Sequence, residues 1–309
     1  MDSLSNLVRV LAPQGSLELH CRFAGGWLVD HGPALPGHLP YHVVLAGCGR
    51  VGIGARELDL LPGDIVLFPH GAAHSVRSLG LGNCEPPALS TPPERHFNGA
   101  VTEVFHPDAG KPLETLDLLC GNFVLGTPGG LLLRTLPEVV CIHTAGRADC
   151  AWLHSLTAMM RTEASAALPG TTAVIGQLST ALFTVLLRAL MVDGGVTQGL
   201  LALLAGARLC KAVDAVLAAP ADTWTVATLA ERCHMARATF AKRFTQVSGL
   251  TPLEVVTSLR MELAGRLLVQ SNATAGLVGE RCGYASEAAF GRAFKQHFGT
   301  TPRAYRLAA

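Results

Sequence analysis

The chain has 309 residues, 49% of them hydrophobic and 15% charged, a balance that excludes a disordered protein and leaves room for two domains that each bury a core. The net charge of +1 excludes nothing until it is divided: residues 206–309 carry 13 Lys and Arg against 7 Asp and Glu, or +6, whereas residues 1–205 carry 11 against 16, or −5. The last third is suited to sit near phosphates, and the rest is not.

At the start, Met1-Asp2-Ser3-Leu4-Ser5-Asn6 has neither the basic opening nor the apolar core of a signal peptide. No stretch reaches the roughly eighteen uninterrupted apolar residues of a membrane span. Residues 178–192 come nearest, and Ser179, Thr180, Thr184 and Arg188 interrupt them. A cytoplasmic protein without a membrane partner is expected. Nine cysteines, an odd number without short regular spacings, do not read as a disulfide framework.

Residues 1–150 read as β structure. Short apolar runs such as Tyr41-His42-Val43-Val44-Leu45 and Asp64-Ile65-Val66-Leu67-Phe68-Pro69 alternate with Gly and Pro, the pattern of a barrel or sandwich. Residues 80–115, with Pro86-Pro87 and Pro92-Pro93, read as a long loop. From Ala151 the period becomes helical, with Trp152, Leu153, Leu156, Met159 and Met160 at helical spacing. Residues 172–191 predict a long apolar helix, either buried or paired with a second copy in a homodimer. Asp193-Gly194-Gly195 ends it, and a linker runs to about Gly206. Three segments follow: 1–150, a helical dimerisation and linker segment 151–205, and 206–309.

The last segment contains a repeat. Phe240, Phe244, Gly249, Thr251 and Pro252 recur fifty residues later as Phe290, Phe294, Gly299, Thr301 and Pro302; Glu231-Arg232-Cys233 recurs forty-nine later as Glu280-Arg281-Cys282. Each copy reads as helix, tight turn and second helix: 226–233, His234-Met235 and 237–247, then 275–282, Gly283-Tyr284 and 286–298. Two phenylalanines four apart mark the core face of each second helix. The opposite face carries Arg237, Ala238, Ala241 and Lys242 in the first copy, and Glu287, Ala288, Gly291, Arg292 and Lys295 in the second. Long basic side chains beside short ones suit a helix entering the major groove. A helix over 252–270 would hold the two readers about 34 Å apart, one turn of duplex. The fold class is α+β, with an N-terminal β-barrel plus helical segment and a C-terminal all-α double helix-turn-helix domain.

The run Gly283-Tyr284-Ala285-Ser286-x3-Phe290-x-Arg292-x-Phe294-Lys295-x3-Gly299-x-Thr301-Pro302-x2-Tyr305-Arg306 resembles the signature of the AraC/XylS family of bacterial transcription regulators, with coverage from about Arg208 to Arg306. The resemblance implies a transcription activator and no enzyme, partnered by double-stranded promoter DNA and RNA polymerase. It places base contacts at Ala238, Ala241, Lys242, Ala288 and Arg292. Pro62-Gly63-Asp64-x4-Phe68-Pro69-x4-His74 resembles the second half of a cupin motif, so residues 1–150 are expected to form a cupin-like sensor. His38 and His42 stand four apart, whereas metal-binding cupins space two His by one residue and follow them with Glu. Enzymatic cupin chemistry is not implied.

A finer resemblance, to the reactive-chlorine-responsive RclR type within that family, is carried by Met1-Asp2-x-Leu4-Ser5, Ala12-Pro13-Gln14-Gly15, Cys21, His42, His74 and Leu118-Leu119-Cys120-Gly121. It implies redox sensing in a stress response, with Cys21 and Cys120 as the oxidant-sensing pair. An oxidised thiol becomes a sulfenyl species that a second thiol resolves to a disulfide, and His20 is expected to lower the Cys21 pKa if the side chains meet. An alternative uses His42, His74 and Cys120 as ligands for zinc or copper, with His70 or Cys21 as a fourth; a small organic effector is the other. Cys210, Cys233 and Cys282, and likewise Cys48, Cys84, Cys141 and Cys150, read as small core hydrophobes. His31, His96, His106, His143, His154, His234 and His297 show no ligand spacing and read as loop or surface residues.

Overall fold

The computed structural model describes residues 2–79, 93–105, 115–126, 130–166, 168–192 and 196–308. Its strands are β1 (Gln14–Phe23), β2 (Leu28–His31), β3 (His38–Gly47), β4 (Gly49–Ile53), β5 (Arg56–Leu60), β6 (Ile65–Leu67), β7 (His74–Arg77), β8 (Glu94–Phe97), β9 (Thr102–Phe105), β10 (Leu116–Val124) and β11 (Val140–Ile142). The helices are α1 (Ser3–Leu11), α2 (Gly130–Leu133), α3 (Ala151–Ala166), α4 (Thr171–Val192), α5 (Leu200–Ala205), α6 (Cys210–Ala218), α7 (Val226–Arg232), α8 (Arg237–Ser248), α9 (Pro252–Gln270), α10 (Ala275–Arg281), α11 (Glu287–Phe298) and α12 (Pro302–Ala308). The expected α+β class is what the chain adopts. Its two compact units are discontinuous in sequence.

One unit comprises Gln14–Val124 and Pro137–Ala189. Its strands form two sheets, ordered β11-β6-β3-β10-β1-β9-β8 and β2-β7-β4-β5. Both sheets fill one core: Cys21, Phe23, Val44, Leu118 and Cys120 come from the first, and Val51, Ile53, Leu60 and Val76 from the second. The first sheet's other face lies under α4. There Tyr41 stacks on Phe123 (ring centroids 4.4 Å) and Phe123 meets Phe183 edge-on (5.2 Å), while Gly15 N donates to Thr180 Oγ1 (3.1 Å). Gly121 allows this layer to close, because a Cβ there would lie 2.1 Å from Ser16 O and 2.5 Å from the Tyr41 ring. Helix α4 is long and apolar enough to cross a membrane by length and composition. In this fold it is a core helix, since Leu182, Phe183, Leu186 and Leu187 are buried and Ser179 Oγ hydrogen-bonds Tyr41 OH (3.2 Å).

The stretch 80–115, expected as loop throughout, contains two strands. β8 pairs antiparallel with β9, and β9 pairs in parallel with β1. All four β8 residues are exposed, so no apolar alternation announces the strand; its pairing is set by distant residues. Cys84, Pro86-Pro87 and His106, like the helix stop at Asp193-Gly194-Gly195, lie outside the described residues.

The other unit comprises Met1–Pro13, Leu125–Leu136 and Leu190–Ala309. Here α1, capped by Asp2 accepting from Ser5 N (2.9 Å), buries Leu4, Leu7 and Leu11 and packs on α6 and α9. Both expected helix-turn-helix pairs form, as α7–α8 and α10–α11. The expected helix 252–270 is α9, opened by a reciprocal Thr251/Glu254 capping box with Pro252 in the first turn. Gly249 and Gly299 stop α8 and α11 in the left-handed conformation (φ 72° and 73°). Phe240, Phe244, Phe290 and Phe294 are buried, each stabilising the unit by about 1.5–3 kcal/mol relative to exposure.

Candidate nucleic-acid interface and sensor core

Because Phe240 and Phe244 face inward on α8, with rings 5.2 Å apart, helical periodicity turns Arg237, Ala238 and Lys242 to solvent, with Ala241 half-buried. On α11, Phe290 and Phe294 do the same, leaving Glu287, Ala288, Arg292 and Lys295 exposed. At Gly291 a Cβ would meet nothing within 4 Å, so the chain offers close approach there. Among the described residues, none of Arg237, Lys242, Arg292 and Lys295 is held in an ion pair. Such free cations can meet phosphates or base edges without breaking an internal bridge. Arg306, the last residue of the motif, acts inside the fold instead, where its guanidinium donates to Leu268 O (2.9 Å) and Ala273 O and ties α12 to α9.

In the β-rich unit, β1 and β10 pair with Cys21 opposite Leu118 and Leu19 opposite Cys120. Cys21 and Cys120 are therefore diagonal neighbours on the core face. The nearby Cys21 thiol, with burial, pushes the Cys120 pKa well above the usual thiol range. The expected help from His20 does not arise. Adjacent strand residues point to opposite faces, and His20 Nε2 instead lies 2.8 Å from Asp117 Oδ1, which also pairs with Arg161 (3.1 Å).

A second group in the same core is made of imidazoles. His31 on β2 and His74 on β7 are direct cross-strand partners, and His42 on β3 comes from the other sheet. One ring nitrogen from each lies within 4.8 Å of the others. His42 Nε2 and His74 Nε2 are 2.8 Å apart, His31 stacks on His74 (4.7 Å), and Phe68 covers the other side of His74 (3.6 Å). Burial lowers all three pKa values, His74 to about 4 and His42 well below the ordinary range, so the rings are neutral. His74 Nδ1 donates to Ala72 O (2.9 Å), which leaves its Nε2 as an acceptor and makes His42 Nε2–H the donor between them. His42 Nδ1 is then a buried lone pair without a partner among the described residues.

The expected ligand set of His42, His74 and Cys120 is brought together only in part. Cys120 pairs with His42 across β10 and β3, yet His31 and not Cys120 completes the close group. His70 is exposed. His31, read from sequence as a surface residue, was concealed by its distance in sequence from both partners; only strand pairing shows it. Asp64, Cys141 and His143 also cluster, but His143 pairs with Asp64 (2.9 Å) and burial pushes the Cys141 thiol up to about 12. A thiol so reluctant to ionise is a poor ligand. Cys150, Cys233 and Cys282 are buried, and Cys48, Cys141 and Cys210 half-buried.

Residues 2–192 match the family model described as Cupin, and residues 229–308 match that described as Helix-turn-helix domain. The chain belongs to this cupin family and is a transcriptional regulator of the AraC type with a DNA-binding helix-turn-helix domain. It is 29% identical over 308 residues to the "RCS-specific HTH-type transcriptional activator RclR" of Escherichia coli (strain K12), covering 99% of this chain and 97% of that one. Identity is 29% over 311 residues to the "HTH-type transcriptional regulator MtrA" of Neisseria gonorrhoeae (99% and 98% covered). It is 28% over 311 residues to the "HTH-type transcriptional regulator AlkR" of Acinetobacter baylyi (99% of each). Such even identities do not choose a signal, so the choice rests on the residues of the core.

Proposed function

We propose that this regulator responds to oxidants such as reactive chlorine species by joining Cys21 to Cys120, and that the linkage changes how α8 and α11 engage promoter DNA. The observation that carries this reading is the placing of the two buried thiols as diagonal neighbours on the core face of β1 and β10. The reading also agrees with the printed name of one relative, the "RCS-specific" activator of Escherichia coli (strain K12). In the reaction, Cys120 or Cys21 attacks chlorine of hypochlorous acid, giving a sulfenyl chloride and water; the second thiol then displaces chloride and loses its proton. A buried, protonated thiol is a poor target for weak oxidants that need a thiolate, which favours a small, neutral, strongly electrophilic one.

Geometry suggests how the signal leaves the core. Diagonal strand neighbours stand about 7–8 Å apart at Cα, whereas a disulfide holds Cα atoms at about 4.4–6.8 Å. Linkage would therefore shear β1 against β10. β1 follows directly on α1, and β10 runs directly into residues 125–136, both parts of the helical unit. The two segments are tied together by Gly126 N donating to Leu11 O (2.8 Å). A slip of one strand is thus transmitted along the chain into the unit that bears the readers.

In this reading Arg237, Ala238, Ala241 and Lys242 on α8 and Glu287, Ala288, Arg292 and Lys295 on α11 contact DNA, and the protein acts in the cytoplasm as a non-catalytic activator that recruits RNA polymerase. Segments 1–150, 151–205 and 206–309 serve as sensor, dimerisation segment and reader. A homodimer through this segment would use the apolar side chains that α3 and α4 leave exposed, Trp152, Met159 and Val174. Treatment of the reduced full-length protein with hypochlorous acid, followed by mass spectrometry, should yield a Cys21–Cys120 cross-linked peptide. Reporter transcription should rise in the wild type and stay flat in Cys21→Ser and Cys120→Ser. A full response in both variants overturns the reading, and Cys120→Ala serves where a serine in the apolar core impairs folding.

A further inference from the structure

We propose that His31, His42 and His74 form a three-imidazole site for a late first-row transition-metal ion, zinc or copper. The inference goes beyond the cysteine reading and does not depend on it. Two sheets converge their imidazoles on one point of the core, with ligand nitrogens within 4.8 Å of one another. Core packing alone does not call for this: burying a polar ring costs about 1–3 kcal/mol unless its atoms are satisfied, and His42 Nδ1 has no partner among the described residues.

The donor set defines the ion's class. Neutral imidazole nitrogens suit zinc and copper, whereas calcium and magnesium require oxygen ligands. The outer contacts are those of a ligand held ready: Ala72 O accepts from His74 Nδ1–H and fixes the tautomer whose Nε2 lone pair points at the shared centre. His42 reaches the ligating form when its proton moves from Nε2 to the unpartnered Nδ1, so neither ring changes charge. Bonds of about 2.0–2.1 Å at tetrahedral angles place ligand nitrogens about 3.3 Å apart. The His42–His74 separation of 2.8 Å must then open by only about 0.5 Å, within the reach of side-chain rotation. His31, the half-buried member, leaves one side for a water as an additional ligand.

The test uses the full-length protein, reduced and stripped of metal with a chelator, then titrated separately with Zn²⁺ and with Cu⁺ against a chromophoric competitor. One equivalent of one of these ions should bind, and X-ray absorption of the loaded protein should show imidazole nitrogen and no sulfur in the first shell. His31→Ala should weaken binding at least tenfold, the lower bound seen even for lost outer contacts of metal ligands, and Cys21→Ser and Cys120→Ser should leave it unchanged. His31 is the position of choice because it is the least buried of the three; circular dichroism checks that the variant is folded. Failure of both ions to bind stoichiometrically, a sulfur ligand in the absorption spectrum, or undiminished binding in His31→Ala each overturns the proposal. The wild-type spectrum keeps the test decisive even if the variant unfolds. Loss of the oxidant response with metal binding intact would remove the cysteine reading alone.

Discussion

The first helix-turn-helix turns on His234 and the second on Gly283, and both residues take the left-handed conformation (φ 53° and 80°). Around that shared backbone the copies diverge. In the first, α7 begins with a Thr225/Thr228 capping box and α8 follows Ala236, which supplies no side-chain cap. In the second, Ser286 caps α11 by accepting from Ala289 N (3.2 Å). The first core holds one close aromatic pair, Phe240 and Phe244, whereas in the second Phe294 meets Phe290, Phe298 and Tyr305 at 5.5, 4.5 and 5.3 Å. Duplication has kept the backbone plan while the aromatic investment moved to the second copy and a bare helix start stayed with the first.

The largest effect should break this comparison at the core. Phe294→Ala removes the hub of four rings and should cost about 4–5 kcal/mol, against about 3–4 kcal/mol for Phe244→Ala, both within the range of buried phenylalanine deletions. Urea unfolding of the full chain followed by circular dichroism measures both; equal losses would mean that the extra rings add nothing beyond burial.

The turns come next. Gly283→Ala should destabilise by about 2 kcal/mol, because the left-handed conformation costs a Cβ roughly 1–2 kcal/mol and this Cβ would also lie 2.8 Å from Ala221 O and 2.7 Å from the Arg260 guanidinium. That guanidinium cannot easily withdraw, since it donates to Pro220 O (2.8 Å) and Asp222 O (2.7 Å). His234→Gly in the first copy should change stability by less than about 1 kcal/mol, as relief of the left-handed strain offsets glycine's greater chain entropy. Thermal melts of the two variants check the asymmetry, and similar losses in both would place the cost in the backbone alone.

How far the sequence disclosed this molecule follows from where each signal lies. Helix α9 was legible because Thr251 and Pro252 form a start signal from neighbours in sequence, and the repeat carries the same pair as Thr301 and Pro302. Strand β8 was not, because its four residues are exposed and only pairing with β9 defines it. The juxtaposition of Cys21 and Cys120 was legible through family resemblance, not from spacing; ninety-nine residues separate them, and a register shift between Leu17 and Leu19 sets which residues of β10 they face. His31 joined His42 and His74 for the same reason in reverse, since no local pattern marks a histidine whose partner is set by a strand forty-three residues on. The misplaced expectation for His20 was avoidable, because a strand turns neighbours to opposite faces.

The last comparison concerns recognition, not stability, and separates what the two readers do on DNA. Lys242 and Arg292 occupy matching places on α8 and α11, fifty residues apart in the repeat. A guanidinium can grip a guanine edge through two hydrogen bonds, whereas an ammonium acts as a point charge. Arg292→Ala should therefore cost about 1–3 kcal/mol on the operator and little on random duplex. Lys242→Ala should cost about 1 kcal/mol on both and reduce the slope of log affinity against log salt by about one. Fluorescence anisotropy with operator and scrambled duplex at several salt concentrations separates these outcomes. If Lys242→Ala proves operator-selective, the first reader takes base edges as the second does. The divergence of the copies would then end at their cores and turns and leave the DNA face untouched.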